Sequence, residues 1–162
     1  MTGPTIRKIE AKDNQQVAKL IRNVFEELEI TKVGTAYEDE ELDCLYEAYQ
    51  NMSKAEFYVI VQNNKIIGCG GFAPLANQGK NICELQKMYF LPELRGQGFG
   101  QKLITICLNK ARGFKYDSCY LETMPYMKTA QKLYQKNGFS YLEEAMGCTG
   151  HSSCPVYMIK NF

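Results

Sequence analysis

Long apolar runs, an excess of charge of either sign and linker-like tracts are all missing from this chain. No hydrophobic stretch approaches the ~20 residues that a membrane helix requires. Lys and Arg number 19 against 18 Asp and Glu, for a formal net charge of +1. So even a balance offers no broad basic field for nucleic acid. The first residues, Met1-Thr2-Gly3-Pro4, lack the basic-then-apolar pattern of a secretory signal. We therefore expect a cytoplasmic protein with neither nucleic-acid nor membrane partners. There is no internal repeat, low-complexity tract or Pro/Gly/Ser-rich linker. Residues 1–162 read as a single domain.

What is present fits that reading. At 162 residues, with 45% hydrophobic and 23% charged content, the chain can bury a proper core. It has seven cysteines. Cys44, Cys69, Cys83, Cys107 and Cys119 fall in apolar-patterned segments and read as reduced core residues. Cys148, His151 and Cys154 form C-x2-H-x2-C around the single histidine, in a Gly/Ser-rich stretch. Structural zinc sites generally use four ligands, rarely drawn from one short loop, so no metal is expected.

The pattern of elements begins with a strand at Thr5–Ile9. Asp13 follows as an N-cap with Gln16 in capping-box spacing, then a helical stripe of Val17, Leu20, Ile21, Val24, Phe25 and Leu28. The acidic run Glu38–Glu41 suits the N-terminus of a second helix, with Leu42, Leu45, Tyr46 and Tyr49 on its apolar face. Phe57–Gln62 and Ile66–Phe72, separated by Asn63-Asn64-Lys65, predict a hairpin. A loop at Asn77–Asn81 leads to another antiparallel strand, Ile82–Leu91, stopped by Pro92. A third helix ends near Gly113, and Cys119–Thr123 returns as a strand. This strand-helix-strand crossover makes the two strands parallel. A fourth helix carries Met127, Ala130, Leu133 and Tyr134 and ends at Asn137-Gly138. Phe139–Leu142 and Val156–Ile159 close the sheet.

Between the Ile82–Leu91 strand and the third helix lies Arg95-Gly96-Gln97-Gly98-Phe99-Gly100. A glycine turn leading into a helix presents free N–H groups at the positive end of the dipole, a site for phosphate or pyrophosphate. The dinucleotide fingerprint G-x-G-x-x-G fails, because its third glycine would fall at Gln101. The acidic ribose partner is also missing, with Tyr116 and Ser118 at that distance. No P-loop motif occurs.

What remains, R-x-x-G-x-G after a strand and before a helix, resembles the signature of the GNAT superfamily of N-acetyltransferases. The strongest resemblance runs from Glu84 through Gly100. A second segment, Ala130-Gln131-Lys132-Leu133-Tyr134-Gln135-Lys136-Asn137-Gly138-Phe139, is similar to the family's A-x-x-L-Y-x-x-x-G-F. The resemblance implies an α+β domain with a mixed, mostly antiparallel sheet of six to seven strands, a parallel strand-helix-strand core and helices on both faces. It implies acetyl-CoA as co-substrate and transfer of its acetyl group to a primary amine of a small molecule or peptide. The pyrophosphate would lie on backbone N–H groups of Gln97, Gly98, Gly100 and Gln101, beside Phe99, with Arg95 adding charge. The pantetheine arm would pair with the backbone of Met88, Tyr89 and Phe90 like an added strand, where a bulge would open the edge.

By the same resemblance Tyr134 would protonate the departing thiolate, as a phenol with pKa ~10 still carries its proton at neutral pH. The Met88 N–H would receive the carbonyl oxygen. Glu84 is the candidate base, directly or through water, on the same strand face as Gln86 and Met88. A structural or substrate-orienting carboxylate is the alternative for Glu84, and Glu122 stands in reserve. At the position where many family members carry asparagine, this chain has Met127, with Thr123 or Thr129 as substitutes. His151 and the run Tyr37–Glu40 are candidates for the acceptor side. A homodimer is a further option. A non-catalytic acyl-CoA-binding or sensing module would share Arg95–Gly100 but would have no use for Glu84 or Tyr134.

Overall fold

A computed structural model describes residues 2–30, 32–76 and 81–162. Residues 77–80 of the expected loop lie outside them. The chain runs β1 (Thr5–Lys8), α1 (Asn14–Glu27), α2 (Leu45–Gln50), β2 (Glu56–Gln62), β3 (Lys65–Pro74), β4 (Ile82–Phe90), α3 (Phe99–Gly113), β5 (Ser118–Thr123), α4 (Lys128–Lys136), β6 (Ser140–Leu142) and β7 (Val156–Asn161). The strands form one seven-stranded sheet in the order β1-β2-β3-β4-β5-β7-β6. Every neighbour pair is antiparallel except β4 and β5, which are parallel. This is the predicted α+β architecture, and the crossover through α3 supplies the parallel pair.

Helices cover both faces. On one, Val17, Ile21, Val24 and Phe25 of α1 pack with Leu45 and Tyr49 of α2 over Phe57, Val59 and Cys69. On the other, Leu103, Ile104 and Cys107 of α3 and Tyr134 of α4 pack over Ile60, Phe72, Leu85 and Leu121. Each such aliphatic or aromatic side chain contributes about 1.5–3 kcal/mol by leaving water. The β2–β3 turn is tight because Asn63 (φ 51°) and Asn64 (φ 64°) both take the left-handed conformation, as a two-residue type I′ hairpin requires.

Three local expectations need correction. The capping interaction before α1 sits three residues earlier. Asp13 ends a 3-10 turn, Ala11–Asp13, and its carboxylate accepts from the Glu10 N–H at 2.7 Å. Arg7 holds that buried carboxylate from the side, at 2.7 Å and 3.0 Å, while the Gln16 side chain accepts from the Ile66 N–H at 3.1 Å. The acidic run does not begin a helix: it folds into 3-10 turns, Ala36–Glu38 and Glu40–Asp43, and α2 starts only at Leu45. Cys44, between that turn and α2, is exposed, whereas Cys69, Cys83, Cys107 and Cys119 are buried.

Two features of β4 open the sheet. Its pairing with β5 ends after Ile82↔Ser118, Cys83↔Cys119 and Glu84↔Tyr120, so the strands part beyond Glu84. Against β3, the register jumps from Gly71↔Gln86 to Cys69↔Tyr89. One extra residue therefore sits on β4, and Lys87 lies there with φ 54°. A non-glycine residue in that region costs about 1–2 kcal/mol. The bulge also reverses the alternation expected of Glu84, Gln86 and Met88. Met88 and Phe90 pack against the α3 side, Met88 filling the space that Gly70 leaves open. Gln86 and Lys87 point to the α1–α2 side, where they meet Tyr49, Asp39 and Glu41.

Candidate active site

The parting of β4 and β5 leaves two connected cavities. The outer one is a groove of about 700 Å³ between the end of β4, the glycine turn and α4. Met88, Tyr89, Phe90, Arg95, Gly96, Gly98, Phe99, Gly100 and Gln101 all line it, as does Tyr134. Of the residues expected to touch the cofactor only Gln97 does not line it; its side chain turns back to the Glu93 carbonyl at 2.5 Å. The inner cavity is narrow, about 60 Å³, and is shared between β4, β5 and the end of α1. Met88, Tyr89, Met127 and Tyr134 line both and mark their junction.

The glycines of the turn serve two purposes. Gly96 and Gly98 have φ 77° and 81°, and a Cβ on either would meet open space, so the backbone conformation demands glycine there. Gly98 caps α3. Among the described residues, the N–H groups of Gln97 to Gln101 donate to no backbone carbonyl; the first to do so is Lys102, to Gly98 at 3.1 Å. Gly100 differs: a Cβ would stand 3.0 Å from Leu133 Cδ2, so its absence sets how closely α3 approaches α4. Gln101 and Asn137 tie the two helices with reciprocal amide hydrogen bonds of 2.7 Å and 2.9 Å. Arg95 is committed within the protein. Its guanidinium clasps Glu27 at 2.7 Å and 2.9 Å, and its Nε donates to the Phe90 carbonyl.

Tyr134 projects from α4, is buried, and packs edge-on against Phe139 at 6.0 Å. Burial pushes its phenol up to about 12. Its hydroxyl makes no hydrogen bond to any described residue. Met127, at the N-cap of α4, lines the junction, Thr129 the groove and Thr123 the inner cavity.

On the other side of the junction the side chains form a polar network. The buried Glu84 accepts from Gln86 Nε2 at 2.6 Å, and Gln86 accepts in turn from the Tyr49 hydroxyl. Burial pushes the Glu84 carboxyl up to about 7 against the Gln86 hydrogen bond and the His151 charge, with Glu122 reinforcing the rise. Glu84, Glu122 and His151 each bring a ligand-type atom within 4.8 Å of the others. The close neighbours of His151 in that group are carboxylates, with neither Cys148 nor Cys154 among them.

His151 Nε2 lies 2.9 Å from Asp39 Oδ1. Burial alone would lower its pKa, but the Asp39 hydrogen bond and charge leave it raised. Asp39 Oδ2 pairs with Lys87 Nζ at 2.8 Å, and Glu41 joins at 3.3 Å. Burial would likewise lower Lys87, yet the charges around it hold it above its ordinary value. Glu84 does not line the inner cavity; Glu122 does. Glu122 accepts from Tyr120 at 2.6 Å and Thr149 at 2.5 Å.

Asp39, Lys87, Gln86 and Tyr49 were not singled out from the sequence as site residues in these roles. Lys87 did carry a signal, as a lysine inside an otherwise apolar strand. Asp39 entered only as one of the run Tyr37–Glu40 offered for the acceptor side, and nothing local marked its pairing with His151 and Lys87.

A sheet split at one parallel pair, a bulge at the split and a bare helix N-terminus beside it make up the layout of an acyltransferase. Comparison with known proteins agrees. Residues 21–139 match the family model described as Acetyltransferase (GNAT) family. An uncharacterized N-acetyltransferase of Escherichia coli K12, YjgM, is 40% identical over 98% of this chain and 95% of its own length. A GNAT-family acetyltransferase from Staphylococcus aureus Mu50 superposes with a TM-score of 0.87 at 19% identity, covering 98% of this chain and 99% of that one. The PaiA N-acetyltransferase of Thermoplasma acidophilum, solved with coenzyme A, superposes with a TM-score of 0.70 at 17% identity, over 99% of this chain and 100% of its own. The chain belongs to the GNAT family of acetyltransferases.

Proposed function

We propose that this acetyltransferase takes its acetyl group from acetyl-CoA and transfers it directly to a primary amine at the junction of the two cavities. The observation that carries this is that Tyr134 and Met88, at the junction, share the inner cavity with Glu122, which clusters with Glu84 and His151. The groove fits the co-substrate: Gly96 and Gly98 leave the turn bare where a Cβ would stand in open space. The free N–H groups of residues 97–101 suit a pyrophosphate. The edge of β4 at Met88, Tyr89 and Phe90, which β5 leaves unpaired, suits the amides of the pantetheine arm. When bound, acetyl-CoA supplies a thioester as acyl donor.

The residues then divide the work. Glu84, poised near neutrality, takes the first proton from the ammonium through an intervening water, which leaves the nitrogen a lone pair. The Met88 N–H stabilises the negative charge on the thioester oxygen. Tyr134 gives its phenolic proton to the leaving sulfur and recovers one from the nitrogen as the amide forms. His151, whose pKa Asp39 raises, stands beside Glu84. Arg95 holds the groove mouth through Glu27 and contributes its charge at a distance.

The test mixes the protein with acetyl-CoA and a panel of amines and follows free thiol. Release that depends on the amine is expected. Tight acetyl-CoA binding with no release from any amine would establish the sensing module instead.

A further inference from the structure

The acceptor cavity has a charge balance and a width that together select an acceptor. Among the described residues, both basic side chains beside it are already engaged. Lys87 is held by Asp39 and Glu41, and His151 by Asp39. The carboxylate facing the cavity, Glu122, receives its hydrogen bonds from two neutral hydroxyls, those of Tyr120 and Thr149. Among the described residues Glu122 thus makes no ion pair of its own: Glu84 and His151 each bring an atom within 4.8 Å of it, but His151 is paired with Asp39. The remaining walls include Phe25, Ile30, Leu121, Met124 and Met127. A volume of about 60 Å³ holds roughly four waters at about 15 Å³ each, or an unbranched chain of similarly few atoms.

We propose that Glu122 is the specificity determinant of the acceptor site, and that the acceptor is a slender cationic primary alkylamine with no carboxylate on the amine-bearing carbon. This rests on the acetyl-transfer reading above and narrows its acceptor. An ammonium entering the cavity meets this carboxylate, and its methylenes lie against apolar walls. An α-amino acid brings its own carboxylate to the same place, where no cation among the described residues is free to receive it. Like charge and desolvation then oppose its entry. Two sources share the alkylamine chemistry: free diamines, and lysine side chains of peptides.

The experiment measures kcat/KM by thiol release with three groups of acceptors. The first is 1,4-diaminobutane and 1,5-diaminopentane. The second is a short peptide with a blocked N-terminus and one lysine. The third is alanine and glutamate. We expect one of the first two groups to exceed the third at least tenfold, and which of them leads identifies the source. In Glu122→Gln, which keeps the hydrogen-bonding shape, that preference should collapse through KM while acetyl-CoA affinity stays unchanged. An α-amino acid as the preferred acceptor overturns the proposal and leaves acetyl transfer standing. A Glu122→Gln enzyme with its preference intact does the same. Bound acetyl-CoA with no thiol release from any acceptor overturns the acetyl-transfer reading itself, and this inference with it.

Discussion

The two cavities that meet at Tyr134 are built from different material. The outer groove combines unpaired backbone N–H groups and apolar side chains with basic residues, Arg95, Lys128 and Lys136, and its shape depends on what three glycines lack. The inner cleft is lined by two charged side chains, Lys87 and Glu122, which join a network with Asp39, Glu41, Glu84 and His151 behind them. A backbone site recognises a group common to many ligands and tolerates change in the side chains around it. A side-chain network recognises one partner, and each member depends on the others.

The sharpest break in that comparison is Glu84→Gln. Loss of a general base costs about 100-fold or more in kcat. Wild-type turnover should rise with pH through a midpoint near 7, where Glu84 titrates, and the variant should lose that limb. Stability moves the other way. A carboxyl raised from 4.5 to about 7 in the fold contributes stability that is complete below pH 4.5 and gone above 7. At pH 8 the neutral amide should therefore gain up to about 3 kcal/mol in urea unfolding, at 1.36 kcal/mol per unit.

Tyr134→Phe removes only a hydroxyl with no partner among the described residues. The expected result is a fall of about 100-fold in kcat, with acetyl-CoA affinity and melting temperature nearly unchanged. Wild-type turnover in this variant would sink the acid role.

Asp39→Asn tests the side-chain network on its own. Lys87 and His151 lose a shared buried partner, and breaking such a pair costs about 3 kcal/mol. The acceptor KM should rise while acetyl-CoA affinity, read by calorimetry, holds. Asp39 is held below its usual range by His151 and Lys87, against the cost of its burial. Its contribution should therefore be complete above pH 3.8 and fade as pH falls through the lower folded value.

Gly98→Ala tests the backbone site. A side chain at φ 81° costs about 1–2 kcal/mol, and cofactor affinity should drop without any change in acceptor preference. Arg95→Ala is the mildest: the half-exposed pair with Glu27 is worth at most about 1 kcal/mol. A large loss of acetyl-CoA affinity there would show that Arg95 leaves Glu27 to meet a phosphate.

The same division explains what the sequence disclosed. Gly96, Gly98, Gly100 and the Leu133-Tyr134 segment are local signals, because backbone conformation and helix spacing are set by near neighbours. The β2–β3 hairpin, the antiparallel β3–β4 pair and the parallel β4–β5 pair followed from turn residues and the helical crossover in the same way, whereas the place of β7 between β5 and β6 did not. The cleft is non-local. Asp39 and His151 are far apart in the chain, and only the packing of the turns at residues 36–43 against β4 and the 147–154 loop brings them together. Met88 was placed on the wrong face because alternation cannot foresee an inserted residue. Lys87, charged in an apolar strand, was the one visible trace of it.

That inserted residue acts as a change of phase in a two-residue wave. Before it, even-numbered side chains of β4 face α1 and α2; after it, odd-numbered ones do, so that Gln86 and Lys87 share a face in succession. Pairing Lys87 in register, with no residue removed and none bulged out, would restore a uniform wave. It would then carry Met88 into the cleft and turn the Tyr89 ring toward α3, exchanging the strand's two surfaces over its last turn of pleat. The Met88 side chain and the charges around Asp39 owe their separation, one to each side of the sheet, to a single residue's worth of extra chain.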